Sequence, residues 1–239
     1  MKTFKNIIQS ISAASILMIG TTNVQAQMTY VQGGLNLANI SSGTNGSTQK
    51  NNFLPTFNAG IMTRFGLSKV VDLETGLLFT GKGAKAETFF TNDDFVKSKF
   101  NPLYIELPLN IVVSIPFGDH TGLFVNAGPY AAVGVAGKSK TETRLVGVNS
   151  STSSNIKFSN DNPFTSEQDD AGYNKIKRFD FGANVGAGIQ LSAILFKVNY
   201  GFGFAKINST QGNNNADNKN KYRTWSFSVG IPISKKIKQ

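Results

Sequence analysis

The chain has 239 residues, no cysteine, 24 glycines and 19 phenylalanines, and 40% of it is hydrophobic. Lack of cysteine excludes disulfides, thiolate metal sites, a cysteine nucleophile and a lipidated N-terminal cysteine; the hydrophobic share is too small for a helical membrane bundle. The formal charge of +10 suits an anionic membrane surface as well as nucleic acid, so the placement of the charges has to decide.

The first segment has the grammar of an export leader. Lys2 and Lys5 form a positive start, residues 7–19 are mostly apolar and uncharged, and Val24-Gln25-Ala26 is a small-x-Ala cleavage site before Gln27. The apolar stretch is shorter than the ~20 residues of a spanning helix. The expected organisation is therefore a signal peptide over residues 1–26 and one domain over residues 27–239.

Beyond Gln27 the pattern alternates with a period of two, which is that of a strand with two unlike faces. Residues 29–38 show it weakly. Phe57, Ala59, Ile61 and Phe65 then oppose Asn58, Gly60 and Arg64, and Val71, Leu73, Leu77 and Phe79 oppose Asp72, Glu74 and Gly76. The clearest case puts Leu103, Ile105, Leu107, Leu109, Ile111, Val113 and Ile115 against Tyr104, Glu106, Asn110 and Ser114. Residues 123–135 are a second weak segment. Phe179, Phe181, Val185 and Ile189 oppose Asp180, Asn184 and Gln190. Phe196, Val198, Tyr200, Phe202 and Phe204 oppose Lys197, Asn199, Gly201 and Gly203. Trp225, Phe227, Val229 and Ile231 oppose Thr224, Ser226 and Ser228.

These eight segments are joined by short connections at 68–70, 116–121 and 191–193 and by long polar ones at 39–54, 81–101, 137–177 and 207–221. Long and short alternate, so all long connections gather at one end of the sheet, as in outer-membrane barrels. The predicted fold is all-β, an eight-stranded antiparallel transmembrane up-and-down β-barrel located in the outer membrane. A soluble lipocalin-like barrel is the rival. It would have to crowd about seven large apolar residues per strand into a narrow lumen, a problem that lipid removes. The other face then lines the interior, and its charges, Arg64, Asp72, Glu74, Glu106, Asp180 and Lys197, are expected to pair as a structural lumenal network, because unpaired buried charge is costly. Glycines 182, 186, 188, 201 and 203 are expected to leave room for Tyr104, Phe124 and Tyr130.

Motifs for chemistry are scarce. His120 is the single histidine; it falls in a short turn, away from any serine that could complete a triad, and alone it makes no usual zinc site. Gly186-Ala187-Gly188 and Gly201-Phe202-Gly203 do not complete a phosphate-binding loop. The Asn-rich segment 213–220 has Asp217 as its only acid, too few carboxylates for calcium, and reads as a mobile loop. Glu74 and Glu106 could form an acid/base pair, but a buried ion network is their ordinary role. No catalytic residue, metal or cofactor is expected. Basic residues, among them Lys82, Lys85, Lys97, Lys99, Lys138, Lys140, Arg144, Lys157, Lys175 and Lys177, concentrate in the long connections without interleaved aromatics. That distribution points away from nucleic acid and toward lipopolysaccharide or other outer-membrane lipid.

Short motifs also resemble the outer-membrane β-barrel family of Bacteroidota known as PorT-like. They are Gly33-Gly34-Leu35-Asn36-Leu37-Ala38-Asn39, Gly81-Lys82-Gly83, Tyr104-Ile105-Glu106-Leu107-Pro108-Leu109, Gly128-Pro129-Tyr130, Phe181-Gly182 and Asn199-Tyr200-Gly201. The resemblance runs along the chain after the leader, except that many such barrels finish on an aromatic residue, whereas here Ile233 is followed by a basic tail to Gln239. It implies the fold and the membrane, not an enzyme activity. The 41-residue segment 137–177 exceeds what barrel closure needs, and connections of that length are commonly functional. The function expected is that of a non-enzymatic barrel filled by side chains, whose external loops contact envelope lipid or a partner protein, with secretion or the cell envelope as the setting. A lipid-modifying outer-membrane enzyme is the alternative, and a small channel comes after it.

Overall fold

The computed structural model describes residues 28–41, 53–90, 93–118, 121–160, 175–192, 194–207 and 220–234. The leader, His120 and nearly all of the Asn-rich segment lie outside the described residues. Among the described residues there are twelve strands: β1 (Met28–Ser41), β2 (Leu54–Gly66), β3 (Val71–Gly81), β4 (Ala84–Phe89), β5 (Phe95–Pro116), β6 (Thr121–Leu145), β7 (Val148–Asn155), β8 (Lys157–Ser159), β9 (Lys175–Lys177), β10 (Phe179–Leu191), β11 (Ile194–Gly203) and β12 (Lys221–Pro232). Eight of them run in the order β5-β3-β2-β1-β12-β11-β10-β6, and a β5–β6 pairing closes the ring. Every pairing in the ring is antiparallel. The fold is an eight-stranded barrel.

Which side chains point where follows from the two-residue period. Ile111 is 45% exposed, whereas its neighbours Asn110 and Val112 are 2% and 0%. The exposed set holds Leu35, Phe57, Ile61, Leu77, Leu107, Val125, Val198 and Phe227, one apolar belt around the barrel. On β5 this belt runs from Leu103 to Ile115. With a rise of ~3.4 Å per residue and a tilt of ~40° it stands ~31 Å tall, the thickness of a bilayer core. Aromatic residues mark its upper rim, at the end of the long connections: Phe57 against Phe79, and Tyr200 against Phe202 and Trp225. Ile111→Arg places a cation near mid-belt and should destabilise the refolded barrel by about 2–4 kcal/mol. Urea titration in lipid vesicles checks this, and an unchanged midpoint would reverse the assigned faces.

Two long connections are more ordered than their composition suggests. The described parts of the second and third fold largely as strand: β4 pairs with Phe95–Phe100 of β5, and β7 with Lys138–Leu145 of β6. Together with the β5–β6 ladder they raise a four-stranded sheet above the belt. One face of these strands carries Lys, Glu and Arg and the other mostly Ser, Thr and Ala, so no regular apolar period betrays them. Gly83, at φ 123°, lets the chain turn from β3 into β4. Two short pieces of the third connection, β8 and β9, pair in parallel at the mouth, fixed by Gly134 N–H donating to the Arg178 carbonyl at 2.7 Å and Ile156 N–H to the Gly137 carbonyl at 2.9 Å.

Candidate functional site

All six charged residues singled out from the sequence are buried inside the barrel. They fall into two groups at different heights. Arg64 pairs with Glu74 across β2 and β3, and Asn110 faces Glu74 from β5. Arg64 Nε donates to Glu74 Oε2 at 2.7 Å, Tyr30 OH to the same oxygen at 2.7 Å, and Lys197 Nζ to Oε1 at 2.6 Å. Asn110 Nδ2 is 3.4 Å from Oε1. Glu74 thus receives four donors, two of them cationic. The Arg64 guanidinium also lies 4.2 Å over the Phe124 ring, a cation–π contact made stronger by desolvation. Asp72 sits just below, where with Arg64 and Lys69 it lines a recess of about 150 Å³ at the short-turn end.

The second group gathers around a residue that composition assigns to a loop. Lys82 reads from the sequence as one of the loop cations; it is instead 3% exposed and points into the lumen. Its Nζ lies 2.7 Å from Asp180 Oδ2, 2.9 Å from Glu106 Oε2 and 4.0 Å from the Tyr130 ring centre. Tyr130 OH donates to Asp180 at 3.1 Å and Asn184 Nδ2 to Glu106 at 3.3 Å. A signal for this existed: Asp72, Glu74, Leu78, Thr80 and Lys82 share one parity, so the face of β3 simply continues past its glycine. Lys177, which reads the same way, is buried too; it belongs to β9, at the mouth.

Glu74 and Glu106 belong to different groups. Glu106 is level with Leu78 on β3, four residues from Glu74, or ~13 Å along the strand. They make no acid/base pair. Between the groups a polar ladder spans the interior: Gln32 Nε2 to Asn58 Oδ1 at 3.2 Å, Asn58 Nδ2 to Asn36 Oδ1 at 2.7 Å, and Asn36 Nδ2 to Thr80 Oγ1 at 2.8 Å. Beside it lies a cavity of about 40 Å³ reached by Lys82, Glu106, Asn110 and Lys197, room for little more than solvent.

Apolar and aromatic side chains close the lumen on both sides of these charges. Toward the short turns, Met28, Tyr30, Met62, Val112, Phe124 and Leu195 form one buried cluster, an apolar stretch of which the sequence pattern picks out only Phe124 as inward. Toward the long connections, Tyr104, Tyr130, Ala132 and Tyr222 pack with Ile156, Ile176 and Ile207, which come from outside the ring strands. Two glycines make the larger rings fit. A Cβ at Gly182 would lie 2.7 Å from the Tyr130 ring, and one at Gly188 would overlap the Phe124 ring.

A closed antiparallel ring, apolar outside and charged inside, is the architecture of a transmembrane β-barrel. Residues 25–209 match the family described as outer membrane protein beta-barrel domain, more than three quarters of the chain, and the protein belongs to that family. A search of curated proteins found no match. Among solved structures, Ail, the attachment invasion locus protein of Yersinia pestis, is 11% identical, with 87% of this chain and 99% of that one covered and a TM-score of 0.39. Neisserial surface protein A is 10% identical over 87% and 97% of the two chains, with a TM-score of 0.37. The translocator domain of the autotransporter NalP from Neisseria meningitidis is 10% identical over 96% of each, at 0.28.

Proposed function

We propose that this outer-membrane barrel is a non-enzymatic, occluded mount that holds the β4–β7 sheet and its neighbouring connections outside the cell, where they contact envelope lipid or a partner protein. One observation carries this: two apolar clusters and two ion groups are stacked along the lumen. Buried carboxylates held by cations at 2.6–2.9 Å serve closure better than proton transfer. In this reading residues 1–26 direct export, the short turns face the periplasm, and Arg64, Asp72, Glu74, Glu106, Asp180 and Lys197 act structurally with no cofactor or metal. The motif Tyr104-Ile105-Glu106-Leu107-Pro108-Leu109 supports kinship with the PorT-like barrels of Bacteroidota and hence a role at the cell envelope.

Planar bilayers containing the refolded protein test the occlusion, alongside an assay of phospholipid and lipopolysaccharide turnover. We expect neither sustained conductance nor steady turnover. Stable single-channel steps would make the protein a small channel, and turnover abolished by a lumenal or rim carboxylate substitution would make it a lipid-modifying enzyme.

A further inference from the structure

The raised sheet carries an arrangement of charge that lumen closure does not explain. Its register sets Lys85 opposite Lys99, and Lys99 opposite Lys140, in one row across β4, β5 and β6. One row lower, Lys138 faces Asn101. Directly opposed like charges destabilise a sheet, so three lysines abreast weaken the fold unless something anionic lies against them. Glu87, 3.4 Å from Lys85, and Glu142, 2.6 Å from Lys140, reach across from the next row. Exposed pairs of this kind contribute little. Lys99, in the middle, and Lys138 have no ion pair among the described residues. Lys97 stands between Glu87 and Glu142 in that next row, so the five lysines and two carboxylates of these three rows carry a net charge of +3.

The direction of the face follows from its neighbours. Phe100, on the other parity of β5, packs against the buried cluster at the mouth, and Ser98 meets Thr141 on that same inner side at 3.4 Å. Lys99 and Lys140 therefore point away from the barrel axis. Following that outer face down the strands, the row Lys85–Lys99–Lys140 gives way to Asn101–Lys138, then to Leu103–Ala136 and Ile105–Val133 in the apolar belt. Four residues separate the lysine row from the last apolar pair. That is ~13 Å along the strand and ~10 Å in height, close to where headgroups begin. Facing residues have Cβ atoms about 5 Å apart, so two neighbouring ammonium groups can converge on one phosphate.

We propose that the outer face of the β4–β5–β6 sheet is a docking surface for the phosphorylated headgroup of a lipid in the adjoining leaflet, with Lys99 shared between phosphates held by Lys85 and Lys140 and Lys138 supporting from below. The proposal rests on the orientation assigned under the proposed function, and it names the lipid group that the raised sheet contacts.

The test uses the full chain refolded in phosphatidylcholine vesicles doped with either diphosphoryl lipid A or its dephosphorylated form. Retention of each lipid is read by native mass spectrometry after extraction. The parent should retain the diphosphoryl form preferentially, with an affinity that falls as salt rises, because exposed charges are screened. Lys99→Gln with Lys140→Gln should lower that affinity about thirtyfold, at about fivefold per lysine near an anionic surface. Lys69→Gln with Lys157→Gln, which removes the same charge elsewhere, should change it about twofold at most. Both target lysines are exposed, and relief of their mutual repulsion should leave stability in neutral detergent unchanged or slightly higher. Equal retention of the two lipids overturns the proposal, as does a double variant that behaves like the charge-matched control. Tight binding of a soluble sulfated polysaccharide without lipid preference also overturns it, in favour of an extracellular polyanion. Failure of occlusion is separate: it appears as conductance of the parent, whichever lipid is retained.

Discussion

Glu74→Gln is expected to destabilise the refolded barrel by about 3–5 kcal/mol, the usual cost of removing one member of a buried charge group. The substitution keeps volume and deletes only the charge. It leaves Arg64 and Lys197, both contacts of the same carboxylate, as buried cations facing one another, and turns one of the two accepting oxygens into a donor NH2 among donors. Glu106→Gln makes the useful contrast. Lys82 would keep Asp180 at 2.7 Å, so the remaining pair is neutral, and the loss should be nearer the about 1–3 kcal/mol of a charge-assisted hydrogen bond. Urea unfolding in detergent, followed by Trp225 fluorescence and by the gel mobility shift of folded barrels, measures both. If Glu74→Gln costs no more than Glu106→Gln, the ion groups do not hold the lumen as their geometry implies.

The contrast between those glutamates also shows what the sequence conveys and where it falls silent. Alternation alone makes the lipid face of β5 legible, because lipid demands that every outward residue from Leu103 to Ile115 be apolar. The same parity puts Arg64, Glu74, Glu106, Asp180 and Lys197 on the inner side. Their partners are another matter. Pairing across strands depends on register, so nothing in the sequence divides six charges into a group around Glu74 and a group around Lys82. Lys82 itself looks like a loop residue because Gly81 and Gly83 flank it, although its parity continues that of Thr80. The raised strands are hidden for a different reason: with polar side chains on both faces, 95–101 and 137–155 lack the contrast that alternation needs. Met62, Val112 and Leu195 are inward yet apolar, since an eight-stranded lumen is narrow enough to be packed like a core.

Lys82→Met should be as damaging as Glu74→Gln, at about 3–5 kcal/mol, although a loop lysine would be replaced at almost no cost. Met has the length to fill the same space, so the effect isolates the charge. Without the ammonium group, Glu106 and Asp180 remain buried side by side with only neutral donors, Tyr130 OH and Asn184 Nδ2, and two carboxylates repel each other strongly in a medium of low dielectric. The backbone should stay in place, because Lys82 N–H still donates to the Pro102 carbonyl at 3.0 Å. A second substitution separates charge from shape. Asp180→Asn added to Lys82→Met removes one of the repelling carboxylates, so the double variant should be more stable than Lys82→Met alone. A mutant cycle over the four proteins should return a coupling of about 1–3 kcal/mol, as expected for residues in one network. If Lys82→Met unfolds at the parent's urea concentration, or the two substitutions simply add, Lys82 is a surface lysine after all and the upper ion group plays no part in closing the barrel.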